Sequence, residues 1–149
     1  MGDLSLAADG AALARVHFGR YEGDCAEDPL LTLAAAQFGE YFDGRRTEFD
    51  LPLADVGGTP FERAVWDALG AIPYGEMRTY GEIAKAVGDP TAARAVGVAC
   101  NRNRLPVILP CHRVVGAGGK LVGFGGGLPR KRFLLELEAR VRVEQDFAT

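Results

Sequence analysis

TYGEIAKAVGDPTAARAVGVACN, residues 79–101, decides how the second half of this chain folds. Thr79-Tyr80-Gly81-Glu82 is a capping box. The Thr79 hydroxyl accepts from the amide three residues on, and the Glu82 carboxylate reaches back to the Thr79 amide. It predicts a helix over GEIAKAVG. Asp89-Pro90 then marks the start of a further helix, TAARAVGVACN, because aspartate satisfies free amides and proline suits a first helical turn. Two short helices across the tight Gly88-Asp89-Pro90 link have the dimensions of a helix-turn-helix. The later helix sets Ala92, Ala93, Ala95 and Gly97 around one long cation, Arg94. A face with so little bulk suits close approach to another surface; plain helix packing accounts for small residues equally well.

Working outward, Thr59-Pro60-Phe61-Glu62 is another capping box with proline at the first helical position, leading into FERAVWDALGAI. Val56-Gly57-Gly58 before it is the best candidate for a domain boundary. LPVILP (105–110) reads as a short buried strand bounded by prolines, Gly-rich loops surround KLVGF, and PRKRFLLELEARVRVE is an amphipathic helix. Towards the start, LSLAAD and ALARVHF read as two short strands around a Gly10 turn. DPLLTLAAAQFGEYFDG (28–44) has helical spacing, and EFDLPL looks extended.

The 149 residues are 48% apolar and 25% charged, normal for one ordinary domain or a small one beside a larger one. No apolar run approaches the roughly 20 residues of a membrane helix, and MGDLSLAADG lacks the features of a secretory signal. A cytoplasmic location with no membrane partner is therefore expected. The net charge of −3 hides an asymmetry: residues 91–149 hold 10 of 17 basic and 4 of 20 acidic side chains, a surplus of six positive charges. Residues 1–90 are correspondingly acidic, so the C-terminal portion is the one suited to phosphates. Cys25, Cys100 and Cys111 form neither an even disulfide framework nor a CxxC pair, which fits a reducing compartment. With His17 and His112 the only histidines, no metal or other cofactor is expected.

Pro110-Cys111-His112-Arg113-Val114 carries the chemistry. A thiol is a poor nucleophile until something takes its proton, and His112 is the only nearby base. Neighbours in an extended segment point to opposite faces, so a direct Cys–His bond needs a bend or a bridging water. As a bare pair, Cys-His is weak evidence. Read alone, Glu138 is a solvated helix carboxylate and Asn103 a turn residue.

The order of residues around this thiol resembles the active-site signature of the O6-alkylguanine-DNA alkyltransferases, the methylated-DNA–protein-cysteine methyltransferase family. The resemblance runs from Gly58 to about Glu138, through TPFERAVWDAL, IPYGEMRTYGEIAKAVG, AARAVGVACNRNRLPVILPCHRVVGAGG and GFGGGLPRKRFLLELE. It implies an α/β chain of the α+β kind. Residues 1–57 form a small mixed strand/helix, ribonuclease-H-like domain. Residues 58–149 form a mainly helical DNA-binding domain with the helix-turn-helix and a short strand pair at the active site. The implied activity is DNA repair by direct reversal: irreversible, single-turnover transfer of a methyl or larger alkyl group from O6 of guanine to Cys111, with alkylthymine as a secondary substrate.

By the same resemblance His112 is a water-mediated base, Glu138 orients its imidazole, and Asn103 braces the active-site turn. The carbonyls of Cys111 and Val114 accept from the guanine amine, and Tyr80 donates to N3, making guanine a better leaving group. A backbone amide at Gly125 approaches O6, Pro106 walls the alkyl pocket, and Phe124 stacks where some relatives carry tyrosine. Arg94 enters the base stack as the damaged nucleotide flips out, a step required because O6 is out of reach inside a duplex. Ala92, Ala93, Ala95 and Gly97, with Gly81, Asn101 and Arg102, form the DNA-binding face, seated in the minor groove. Binding there is largely sequence-independent. The implied partner is double-stranded DNA containing O6-alkylguanine, bound by a monomer, with cooperative loading left open.

Val98 stands where relatives often have glycine or alanine, Cys100 reads as a packing residue, and the N-terminal zinc ligands of some relatives have no counterpart. Alternatives are a lesion-binding protein of the alkyltransferase-like type, which lacks the cysteine, a transcription regulator, and a multiple-turnover thiol hydrolase.

Overall fold

In a computed structural model that describes residues 2–19, 28–55 and 57–147, the chain divides into two units, Met1–Val56 and Gly57–Thr149. In the first, β1 (Leu4–Asp9) and β2 (Ala12–Phe18) pair antiparallel around Gly10, whose φ of 62° is the left-handed conformation that glycine adopts without strain. Leu13 is fully buried and also bridges in parallel to Leu53, so the expected extended segment lies beside β2. Helix α1 (Pro29–Phe42) opens on Asp28, whose carboxylate accepts from the Leu30 amide at 2.8 Å. Its buried face carries Ala34, Phe38 and Tyr41, and Phe49 packs its ring 4.8 Å from that of Phe38. Cys25 lies outside the described residues.

The second unit is mainly helical, as the sequence predicts. Helix α2 (Pro60–Gly70) starts in the Thr59–Glu62 capping box, both of its hydrogen bonds formed at 3.1 Å. Helix α3 (Tyr80–Ala86) starts in the Thr79–Glu82 box, with both bonds at 3.0 Å. The Trp66 indole on α2 donates to the Ala99 carbonyl on α4 (Ala93–Asn101) at 2.9 Å, fixing α4 against α2. Two-residue strands β3 (Arg78–Thr79) and β4 (Val114–Val115) pair in parallel. Because β3 runs directly into α3 and β4 follows the thiol segment, this ladder ties the helix-turn-helix to Cys111. Helix α5 (Leu128–Phe147) buries Leu134, Leu137 and Val141. No helix of the described residues is long and apolar enough to cross a membrane.

Two local readings need correction. Asp89-Pro90 does not cap the later helix of the pair. The Asp89 carboxylate accepts from the Thr91 amide at 3.1 Å and the Thr91 hydroxyl at 2.6 Å, a self-contained turn. Helix α4 then begins at Ala93 with no side-chain cap. Nor is LPVILP a strand. Leu109 N donates back to Leu105 O at 2.8 Å, Val107 sits at φ 73°, and the segment is a tight turn. Pro106 and Pro110 lack the amides a ladder requires, so the apolar run folds on itself.

Gly58 takes φ 96°, and a Cβ there would sit 2.6 Å from the Trp66 ring that the Ala99 bond holds in place. Gly58→Ala is therefore expected to cost about 2–4 kcal/mol through combined backbone strain and overpacking. Urea unfolding followed by tryptophan fluorescence measures it.

Candidate active site

Cys111, His112 and Arg113 form a single 3-10 turn between the proline-bounded loop and β4. The loop is shaped by Asn103: its side-chain amide donates to the Leu109 carbonyl at 2.8 Å, and its oxygen accepts from the Leu105 amide at 2.9 Å. Both bonds close the turn around Val107, whose left-handed φ is strained for a β-branched residue. The Cys111 amide donates to the Leu109 carbonyl at 2.8 Å, so the cysteine inherits the shape of that loop.

Cys111 is buried at 6% exposure, and burial pushes its thiol above the ordinary range, against the lowering effects of Asn103 and the Lys131 charge. The resting sulfur is therefore a thiol at neutral pH and needs a base. His112 is fully buried, and its Nε2 lies 2.7 Å from Glu138 Oε2. Burial holds the imidazole below its ordinary value of 6.5, opposed by the Glu138 hydrogen bond, so it is neutral at physiological pH. An ionised carboxylate only accepts, which places the ring proton on Nε2 and leaves Nδ1 as the basic nitrogen. Nδ1 is buried with no hydrogen-bond partner among the described residues.

Glu138 is not the solvated helix carboxylate that its sequence context suggests; it is 1% exposed. Burial pushes its carboxyl up, but hydrogen bonds from His112 and Arg113 outweigh this and hold it at about 2. Arg113 supplies Nε to Oε1 at 2.8 Å and a terminal nitrogen to Oε2 at 2.9 Å, a bidentate pair, while its other terminal nitrogen donates to the Ile72 carbonyl at 2.7 Å. Arg113 is a site residue that sequence reasoning missed, although it stands inside the quoted signature.

A second cluster forms around Tyr80 at the start of α3. Its hydroxyl donates to the Val122 carbonyl at 2.9 Å, and burial pushes that hydroxyl up to about 12. Lys131, fully buried on α5, reaches the same carbonyl at 3.1 Å; it too was missed. Val114 and Pro106 are buried, Phe124 is half-buried and Gly125 exposed, with nothing within 4 Å of a Cβ placed on Gly125. Cys100 is buried, as expected of a packing residue.

On the helix-turn-helix, Arg94, Ala95, Asn101 and Gly81 are exposed, while Ala92, Ala93 and Gly97 are half-buried. Gly97 faces the Tyr80 ring, where an added Cβ would meet Cε1 at 3.8 Å, so helix packing accounts for part of this small-residue face. Arg102 is exposed and lies 3.5 Å from Glu62.

Comparison with known proteins is consistent across sequence and structure. The model of the 6-O-methylguanine DNA methyltransferase DNA-binding domain matches residues 60–140, and that of the ribonuclease-like domain of 6-O-methylguanine DNA methyltransferase matches residues 1–54. A methylated-DNA–protein-cysteine methyltransferase of Mycolicibacterium paratuberculosis is 58% identical over 107 residues, which are 72% of this chain and 64% of that protein. One from Mycobacterium leprae is 50% identical, covering 93% of this chain and 87% of that protein. Among solved structures, Mycobacterium tuberculosis OGT in complex with DNA is similar at a TM-score of 0.84 and 49% identity, covering 93% of this chain and 87% of that one.

The buried pair makes the protein acid-sensitive in a defined window. Glu138 titrates at about 2 folded against its ordinary 4.5, so its stabilisation is complete above pH 4.5 and is lost as pH falls towards 2. The total lost is about 3 kcal/mol. His112, depressed below 6.5, acts in the same direction from pH 6.5 downward. Urea midpoints measured from pH 7 to pH 3 are expected to fall steadily, and Glu138→Gln to flatten the segment below pH 4.5 while lowering stability at pH 7 by about 3–5 kcal/mol through the unpaired Arg113.

Proposed function

The chain belongs to the methylated-DNA–protein-cysteine methyltransferase family, and from that premise we propose that Cys111 takes an alkyl group from O6 of a guanine in duplex DNA and keeps it. The observation that carries this reading is a buried cysteine followed in the same turn by a fully buried histidine whose Nε2 lies 2.7 Å from a buried carboxylate. His112 Nδ1 takes the thiol proton through a water molecule. The imidazolium so formed is stabilised by Glu138, whose charge is already in place. The sulfur attacks the alkyl carbon in line, the carbon–O6 bond breaks, and its electron pair stays with the guanine. Tyr80 donates to N3 as that charge develops. The proton taken from sulfur is balanced by the one guanine gains in place of the alkyl group. A thioether has no easy leaving reaction, so each chain reacts once.

The carbonyls of Cys111 and Val114 accept from the guanine amine, the Gly125 amide meets O6, and Pro106 and Phe124 enclose the alkyl group. Gly81, Ala92, Ala93, Ala95, Gly97, Asn101 and Arg102 face the DNA. Arg94, exposed near the start of α4, fills the stack left by the flipped nucleotide. Gly57–Thr149 is the unit that binds DNA and reacts; Met1–Val56 supports it. Free thiols and a reaction on DNA suit a cytoplasmic, nucleoid-associated protein.

Incubation with duplex DNA containing O6-methylguanine is expected to add the mass of one CH2 to the peptide carrying Cys111. Cys111→Ser should keep DNA binding and lose all transfer; transfer by that variant would refute the assignment. Arg94→Ala is expected to slow reaction on duplex DNA about tenfold or more, since unstacking a base costs a few kcal/mol. Its reaction with free O6-benzylguanine should stay within about twofold of wild type. Equal slowing on both substrates would remove Arg94 from the flipping step.

A further inference from the structure

One oxygen serves two donors in the buried site. Glu138 Oε2 accepts from His112 Nε2 at 2.7 Å and from a terminal nitrogen of Arg113 at 2.9 Å, while Arg113 Nε holds Oε1 at 2.8 Å. The Gly75 amide reaches Oε1 as well, at 3.3 Å. Arg113, Glu138 and His112 are all buried, so an uncancelled charge among them is costly. With Arg113 permanently positive and Glu138 negative, the trio is balanced when His112 is neutral. Without the guanidinium, the remaining pair carries one net negative charge, which a proton on His112 would cancel. Burial works first against protonating His112 and Glu138 works for it; Arg113 and, after it, Lys131 on α5 work against it. Tyr74, whose ring centre lies 5.5 Å from the guanidinium carbon, is pushed up to about 12 by burial and adds no charge.

We propose that Arg113 is a positioning residue that balances the Glu138 charge and so keeps His112 unprotonated at rest, free to take the proton of Cys111. A carboxylate without that counter-charge would hold the ring as an imidazolium, which donates from both nitrogens and accepts at neither. Arg113 thus separates two effects of Glu138: the carboxylate orients the ring through Nε2–H, and Nδ1 stays empty. The other terminal nitrogen of Arg113 donates to the Ile72 carbonyl at 2.7 Å, which pins the guanidinium beside the carboxylate. Arg113 touches neither DNA nor the alkyl group in this account; it acts through Glu138 and His112. The inference rests on the alkyl-transfer reading with His112 as its base.

Two readouts on charge-removing and charge-keeping variants test it. In Arg113→Met, nitrogen-15 NMR is expected to show His112 doubly protonated at pH 7. The acid limb of the single-turnover rate on O6-methylguanine duplex DNA should move up by about 1–3 pH units, the usual effect of one nearby charge, so that transfer slow at pH 7 recovers at high pH. Arg113→Lys loses the bidentate fit but keeps the charge, and should keep the ring neutral and the limb in place, whatever its plateau rate. A neutral His112 at pH 7 in Arg113→Met would overturn the proposal. So would a rate lowered equally at every pH, the mark of a merely structural arginine, or a rate at pH 7 no lower than wild type. Displacement of the limb in Arg113→Lys as far as in Arg113→Met would overturn it too. Should Arg113→Met fail to fold by circular dichroism, Arg113→Gln takes its place with the same criteria. Failure of the wild-type protein to transfer at all would instead refute the underlying reading, and the NMR readout would still decide the role of Arg113.

Discussion

A single carboxylate, buried where water cannot reach it, sets the arrangement of everything around it. Glu138 on α5 receives two hydrogen bonds from Arg113 and one from His112 Nε2, each within 2.9 Å. An uncompensated charge at that depth would be prohibitive, so the partners cannot be dispensed with one at a time. Arg113 also donates to the Ile72 carbonyl just beyond α2. One ion therefore links α5, the end of α2 and the thiol turn, and the imidazole has no freedom to choose another orientation. What the pairing achieves chemically is a fixed tautomer: the proton is committed to Nε2, and Nδ1 is left basic.

The sulfur is placed by a different device. Asn103 closes the loop between Leu105 and Leu109, and that loop holds Val107 at a strained φ and delivers Cys111 into a helical turn rather than a strand. The parallel pairing of β3 with β4 joins this turn to the first residues of the helix-turn-helix. The surface proposed to engage DNA and the turn proposed to react thus share one frame. Burial favours the protonated thiol at rest, which suits the single reaction proposed for this sulfur, because a free thiolate would also be open to oxidants.

Much of this frame was legible in the residues. The capping boxes at Thr59 and Thr79 announced α2 and α3 because their signal is local and chemically complete. The hairpin around Gly10 was readable from strand patterning and one turn glycine. LPVILP misled because an apolar run says that a segment is buried, not what shape it takes, and the decisive bonds come from Asn103 outside the run. Asp89 misled because its carboxylate had a nearer partner in Thr91 than in the helix it precedes. Arg113 and Lys131 escaped notice although a signal existed. Lys131, Leu134, Leu137, Glu138 and Val141 share one helical stripe, and charged residues on an apolar stripe are pointers to a buried polar network. Only tertiary structure shows which partners answer them.

The account stands on the protonation state of one ring. Nitrogen-15 NMR of histidine-labelled protein resolves it, since the chain has only His17 and His112 and a His17 substitution assigns the pair. At neutral pH the His112 signals should be those of a neutral imidazole, protonated on Nε2 and bare on Nδ1. A doubly protonated ring, or a proton on Nδ1, would mean that Glu138 does not prepare His112 as a base and would contradict the relay.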